Sequence, residues 1–330
     1  MATTDHPSDG TRPTAGLGRR MTFFGIVAVG LGVVLIVLGL LHPLLPMMSG
    51  MLADEQPLDT HAIWMGLMLY VSIGAVMIWA GVGSMRRRRW VRPVMLFVSG
   101  TWLIVGVFVL LLVLWVLDDL LLVAGGEAVR SSPAVAVVAR WVAIGFTVGG
   151  GILLPLVFFW AYRSPEIQTT CERHDPRLSW SDRCPSSVLV LSIALLAAAV
   201  FSLPMVLRPV VPLFGRLVTG PAGLLALLGG VALCAWLAWS TFRLERVGWW
   251  ATLGFLVVLG LSTVWTFEVV HLTEMYRQLG YPEEQITALA RSEPVLHRLT
   301  QWSTVALTIV GLLYMWSIRR HFFGSNGSQT

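Results

Sequence analysis

Eight runs of nearly uninterrupted apolar residues alternate with short polar segments along the chain: 22–41, 62–84, 93–117, 134–160, 187–207, 222–241, 251–270 and 301–318. As helices they are long enough to cross about 30 Å of hydrocarbon at about 1.5 Å per residue. Unpaired backbone groups in lipid leave only helices or closed barrels as spanning structures. Barrel strands alternate apolar and polar positions over about ten residues, and these runs do not. The pattern predicts an all-α polytopic membrane protein with eight transmembrane helices.

The pattern also repeats. Arg130-Ser131-Ser132-Pro133 and Arg291-Ser292-Glu293-Pro294 each open an apolar run, and the two runs stay in gapless register at an offset of 161 residues. Trp141 then falls on Trp302, Thr147 on Thr308 and Gly150 on Gly311. Upstream, His42-Pro43-Leu44-Leu45-Pro46 matches Arg208-Pro209-Val210-Val211-Pro212 at an offset of 166. This self-similarity predicts one four-span module written twice. Because four is even, both copies enter the membrane in the same orientation, giving two tandem parallel four-helix repeats related by an axis along the membrane normal. The expected organisation is a disordered cytoplasmic tail (1–20), a first repeat (21–162), a cytoplasmic linker loop (163–186), a second repeat (187–323) and a disordered tail (324–330). The linker is polar and has no clear period. Tyr281-Pro282-Glu283-Glu284, followed by Ile286, Leu289 and Ala290, reads as a short surface helix ahead of the last span.

Charge sets the orientation. All 23 basic residues are arginines, an absence of lysine that suits a GC-rich bacterial coding bias. With the N-terminus in the cytoplasm, the inner segments hold sixteen arginines against seven acids, and the outer segments seven arginines against eleven acids. That asymmetry predicts both termini inside a bacterial inner membrane. Charged residues make up 12% of the chain, half the roughly 25% of a soluble domain. The net charge of +5 is therefore a topology signal, and no nucleic-acid partner is expected. The first run follows a polar tail and lacks an Ala-x-Ala cleavage site, so it is expected to be retained. Three cysteines exclude a disulfide framework: Cys234 lies in a span, and Cys171 and Cys184 lie on the reducing side.

Four groups of residues carry candidate chemistry. Glu268, His271 and Glu274 recur at helical spacing near the outer end of the seventh run, where His42 and His61 are also expected. Ionisable groups near membrane depth suggest function, and Glu-x-x-His is a spacing used by helical di-metal sites. The plainer reading is a set of interfacial polar residues closing a helix end. Arg140, two turns inside the fourth run, is expected to pair structurally with Asp118 or Asp119 across a hairpin. Cys171, His174 and Cys184 offer three zinc ligands but lack a second close pair. Gly145-x-x-x-Gly149, with Gly150 and Gly151, allows close helix contact, and the tryptophans near run ends (Trp64, Trp90, Trp160, Trp249, Trp250) fit an aromatic belt.

No Gly-rich phosphate loop, Ser-His-Asp order, His-x-x-x-His helix or haem-attachment motif occurs, and no cofactor is identified. The expected function is that of a non-catalytic structural, sensory or complex-assembly component, with the lipid bilayer and other membrane proteins as partners. The alternatives are a carrier or channel for a small neutral or apolar solute, with its path between the repeats, and a metal or redox enzyme using the outer Glu/His cluster.

Overall fold

The computed structural model describes residues 15–42, 60–124, 133–176, 179–281 and 283–323. Eight of its helices are long and apolar enough to cross a membrane: Gly18–Leu41, Gly66–Met85, Val91–Trp115, Val137–Arg163, Ser186–Leu207, Gly220–Phe242, Arg246–Val269 and Glu293–Phe323. The chain is a multi-pass membrane protein, all-α in its spans. The helices carrying these spans are α1 (Ala15–Leu41), α2 (Thr60–Met85), α3 (Val91–Ala124), α4 (Pro133–Phe146) continued by α5 (Leu154–Arg163), α7 (Ser186–Ser202), α8 (Gly220–Phe242), α9 (Arg246–Val269) and α11 (Glu283–Ile318). Two shorter helices, α6 (Pro165–His174) and α10 (Leu272–Leu279), and the terminal turn α12 (Arg320–Phe323) complete the described α-helices, and Trp180–Arg183 and Leu203–Leu207 form 3-10 turns.

Consecutive spans pack as hairpins: first on second, third on fourth, fifth on sixth, seventh on eighth. Helix α3 also touches α7 and α11, and so joins the two halves. Lipid supplies no hydrophobic force between helices, so contact depends on van der Waals packing and close approach at small residues. The α1–α2 hairpin shows how. Gly18, Gly25, Gly32 and Gly39 recur every seven residues on α1. A Cβ added to Gly32 would lie 2.6 Å from the Gly74 carbonyl oxygen, and one added to Gly74 would lie 2.7 Å from that of Gly32. Gly25 and Gly81 face each other in the same reciprocal way. The heptad spacing holds one seam toward the partner helix, as in a left-handed coiled coil.

The turns joining α2 to α3 and α8 to α9 close alike. Arg87 (φ 52°) and Leu244 (φ 58°) take left-handed conformations. The next N–H in each case reaches back five residues, Arg88 to Gly83 O at 3.0 Å and Glu245 to Ser240 O at 3.1 Å. This wrap satisfies the last helical carbonyls.

Three findings differ from the sequence pattern. The polar segment after the fourth span holds a helix: Ser164 caps α6 by accepting the Glu166 N–H, with Pro165 in its first turn. Ile167, Thr170 and Cys171 of α6 are buried, and Ile167 and Cys171 join a core cluster with Met21, Met77, Met95 and Tyr162. The short helix expected near Glu283 is continuous with the eighth span, with Pro294 in its interior. In the fourth span, Thr147–Leu153 is a π-helix, closed by the Leu154 N–H on Gly149 O. Gly151 there meets Gly106 of α3 backbone to backbone, while added Cβ atoms on Gly145, Gly149 or Gly150 would meet nothing within 4 Å. The close contact thus falls on Gly151 and not on the Gly-x-x-x-Gly pair.

Gly32→Ala should separate α1 from α2 and lower stability by about 1–3 kcal/mol, the usual penalty of overpacking, seen as a lower Tm in detergent. Gly30→Ala, whose Cβ would meet nothing within 4 Å, should leave the transition in place. Equal losses in both variants would contradict the seam.

Candidate functional site

The expected outer cluster lies where α9 ends. The helix stops at Val269, and Val270 and His271 are extended, with His271 at the N-cap of α10. Glu268, His271 and Glu274 therefore do not share one helix face, because a break separates Glu268 from the other two. Each then finds its own partner. Glu268 accepts a hydrogen bond from Gln301 Nε2 at 2.5 Å. His271 Nδ1 is 3.2 Å from Glu293 Oε1, and the Thr273 hydroxyl donates to both Glu293 oxygens at 3.3 and 3.5 Å. Glu274 accepts from Arg277 at 2.9 Å and from Gln278 at 2.9 Å, while Arg277 Nε also reaches Glu283 at 2.9 Å.

His42 follows the last residue of α1, with its ring against Gly66 and near Tyr70 of α2. Its Nδ1 is buried without a hydrogen-bond partner. His61 lies in the first turn of α2, but its side chain is outside the described residues, as are those of Asp118 and Asp119. The expected Arg140 ion pair therefore lies outside them too; Arg140 itself is half-buried. Among the described residues no three His, Cys, Asp or Glu side chains form a group that could hold a metal ion.

Beside this cap, a β-hairpin joins the fifth and sixth spans: Val211–Leu213 (β1) pairs antiparallel with Arg216–Val218 (β2). Its turn residues Phe214 (φ 44°) and Gly215 (φ 80°) are both left-handed, the geometry of the tight turns that match strand twist. Irregular backbone near membrane depth survives only where its polar groups are satisfied. The Phe214 and Gly215 N–H groups donate to Ser262 Oγ and Thr266 Oγ1, each at 3.0 Å, and the Thr266 hydroxyl in turn donates to Ser262 O at 2.7 Å. Arg208, just ahead of the hairpin, donates to Leu279 O and so caps the C-terminus of α10, where its guanidinium crowds Gly280. Ser262, Thr266 and Glu293 are the residues that sequence reading missed. The last stood in view inside the Arg-Ser-x-Pro match.

The arginine-rich face is built differently. Arg89 donates to the last carbonyls of α6, Glu172 O at 3.1 Å and Asp175 O at 2.6 Å, and lies 3.6 Å from Asp182. Arg88 pairs with Asp175 at 3.4 Å, Arg92 with Gln168 at 2.6 Å, and Arg87 with His174. Cations at a helix C-terminus complement its exposed carbonyls. Cys171 packs with its sulfur 3.9 Å from Met21 Sδ, whereas Cys184 belongs to a second cluster with Val188, Trp249 and Met315. Burial pushes each thiol up to about 11. The structure does not bring Cys171, His174 and Cys184 together as ligands.

Thr266→Val keeps the shape but leaves the Gly215 N–H unpaired, so stability should fall by about 1–3 kcal/mol. Amide exchange at Phe214 and Gly215 should accelerate, and unchanged exchange would show that the turn is held elsewhere. Hydrogen bonds from Gln278 and Arg277 hold the Glu274 carboxyl below its usual range, and that from Arg277 does the same for Glu283. Depressed carboxylates contribute stability above their ordinary value, and that contribution is lost as pH falls through the lower folded values. Exchange protection of residues 272–281 should therefore weaken below about pH 4, and Arg277→Gln should lessen that dependence without removing it, because Gln278 still donates to Glu274.

No protein-family model matches the chain, and no match was found among curated proteins or solved structures.

Proposed function

We propose that this chain is a non-catalytic component of a bacterial inner membrane, structural or complex-assembling in its role. It is built from two tandem parallel four-span repeats (21–162 and 187–323) with both termini in the cytoplasm. The arginine asymmetry supports the orientation. The duplication is supported by the sequence register, by the hairpin pairing of spans in the same order, and by the matching left-handed closures at Arg87 and Leu244.

One observation carries the non-catalytic reading: polar side chains buried within the spans are already committed to the protein. Ser84 donates to Met21 O at 3.1 Å, Ser192 to Ala238 O at 2.5 Å, and Ser99 to Met95 O at 2.6 Å. Thr241 and Thr252 bond each other at 3.3 Å, and Ser262 and Thr266 hold the hairpin. A solute path or reacting centre needs convergent polar groups left over for its ligand. Among the described residues the one buried side-chain nitrogen or oxygen without a partner is His42 Nδ1.

Native electrophoresis of gently solubilised membranes should place the chain in an assembly larger than its own 36.2 kDa. The purified chain in vesicles should leave glycerol and urea flux at the empty-vesicle level and carry no stoichiometric metal. A saturable flux would replace this reading with the carrier, and one bound metal per chain with the metal enzyme.

A further inference from the structure

Beyond this reading, we propose that the groove between α1, α5 and α6 binds one anionic phospholipid, with its phosphate at Arg19 and Arg20. The groove encloses about 710 Å³ on the arginine-rich face. Arg19 and Arg20 line one end, at the start of the first span. Phe23, Leu156, Val157 and Trp160 line the rest, with Phe23 62% and Trp160 74% exposed. Large apolar side chains left open in a spanning helix meet acyl chains, so the groove has a cationic head and a hydrocarbon body.

Charge selects the occupant. The neighbouring Arg87, Arg88, Arg89 and Arg92 are all engaged by α6 or its flanks. Arg19 and Arg20 have no hydrogen-bond, ion-pair or ring partner among the described residues. Glu166 also lines the groove, so two cations against one anion leave a formal excess of one positive charge. The Arg87 guanidinium against Gly18 and the N-terminus of α6, capped at Ser164, reinforce that sign. Basic pockets between membrane helices at headgroup level recognise anionic lipid headgroups. A zwitterionic lipid would present the same phosphate together with an ammonium that these arginines repel. From Arg20 to Phe23 is a rise of about 4.5 Å, which takes the occupant from headgroup to hydrocarbon within one turn.

The test uses the full chain in detergent, titrated with phosphatidylglycerol or phosphatidylcholine and read by native mass spectrometry. One phosphatidylglycerol should bind in preference to phosphatidylcholine. Arg19→Gln/Arg20→Gln should weaken that binding about 25-fold, about fivefold for each arginine. Arg243→Gln/Arg246→Gln, which removes two arginines from another turn on the same face, should leave it unchanged. Equal binding of the two lipids, equal losses in both double variants, or displacement of the lipid by millimolar inorganic phosphate would overturn the site. Thermal unfolding of each variant without added lipid separates a folding defect from lost recognition: if Arg19→Gln/Arg20→Gln unfolds early, Trp160→Ala replaces it and should lower the affinity for phosphatidylglycerol while lyso-lipid binding stays unchanged. Unaltered binding in that variant would also count against the site.

Discussion

Close backbone approach is the constraint on which this structure depends. Lipid tails solvate apolar side chains as well as other side chains do, so a helix pair in a membrane gains little from burying leucine. It gains from contacts that lipid cannot match in density, and glycine permits those. The Gly25–Gly81 and Gly32–Gly74 pairs on the first hairpin, and the Gly106–Gly151 pair between the third and fourth spans, bring peptide groups against peptide groups. The second half leans further on side-chain hydrogen bonds of the kind Ser84 makes to Met21 O in the first. There, hydroxyls reach across: Ser192 to Ala238 O, Tyr314 to Ser187 O at 2.6 Å, with the Trp249 indole donating to Met315 O at 3.1 Å.

The two faces answer the same need with different chemistry. On one, Arg89 donates to the C-terminal carbonyls of α6 while Arg87, Arg88 and Arg92 hold its side chains and flank, so the arginine-rich turn fastens a helix under the bundle. On the other, Arg208, Arg277 and Glu293 tie α10 to its neighbours, and Ser262 with Thr266 holds the strand turn. In both cases a short amphipathic helix closes the end of a hairpin, and charged groups act on its termini or flanks.

The eight spans were legible because length and apolar continuity are properties of the chain itself, and no packing detail alters them. The break at Val270-His271 was not, since neither proline nor glycine marks it and Glu-x-x-His continues the helical spacing without interruption. Helix α6 was readable in principle: Ser164-Pro165-Glu166 is a helix start, obscured by the polar Cys-Glu-Arg-His that follows. The partners of the candidate site were out of reach for another reason. Glu293 meets His271 only because α11 begins ten residues earlier, at Glu283, and Gln301 meets Glu268 only because α9 and α11 run side by side. The glycine seam of α1 was visible as a seven-residue period, yet its meaning required the matching glycines of α2.

The π segment at Thr147–Leu153 acts as a phase shifter. A turn closed by i to i+5 bonds holds one residue more than an α-helical turn, and one residue in an α-helix corresponds to about 100° of rotation. Everything beyond it in the span is therefore clocked round relative to the part before. Phe158 and Tyr162 lie in that second part, facing Phe24 and Ser84. A plain α-helix through the same residues would swing both rings off the first hairpin and toward lipid. The corresponding stretch of the eighth span has Val310 and Leu312 where the fourth has Gly149 and Gly151, and it stays α-helical. The fourth and eighth spans thus carry their later residues at different azimuths, which gives each its own set of neighbours.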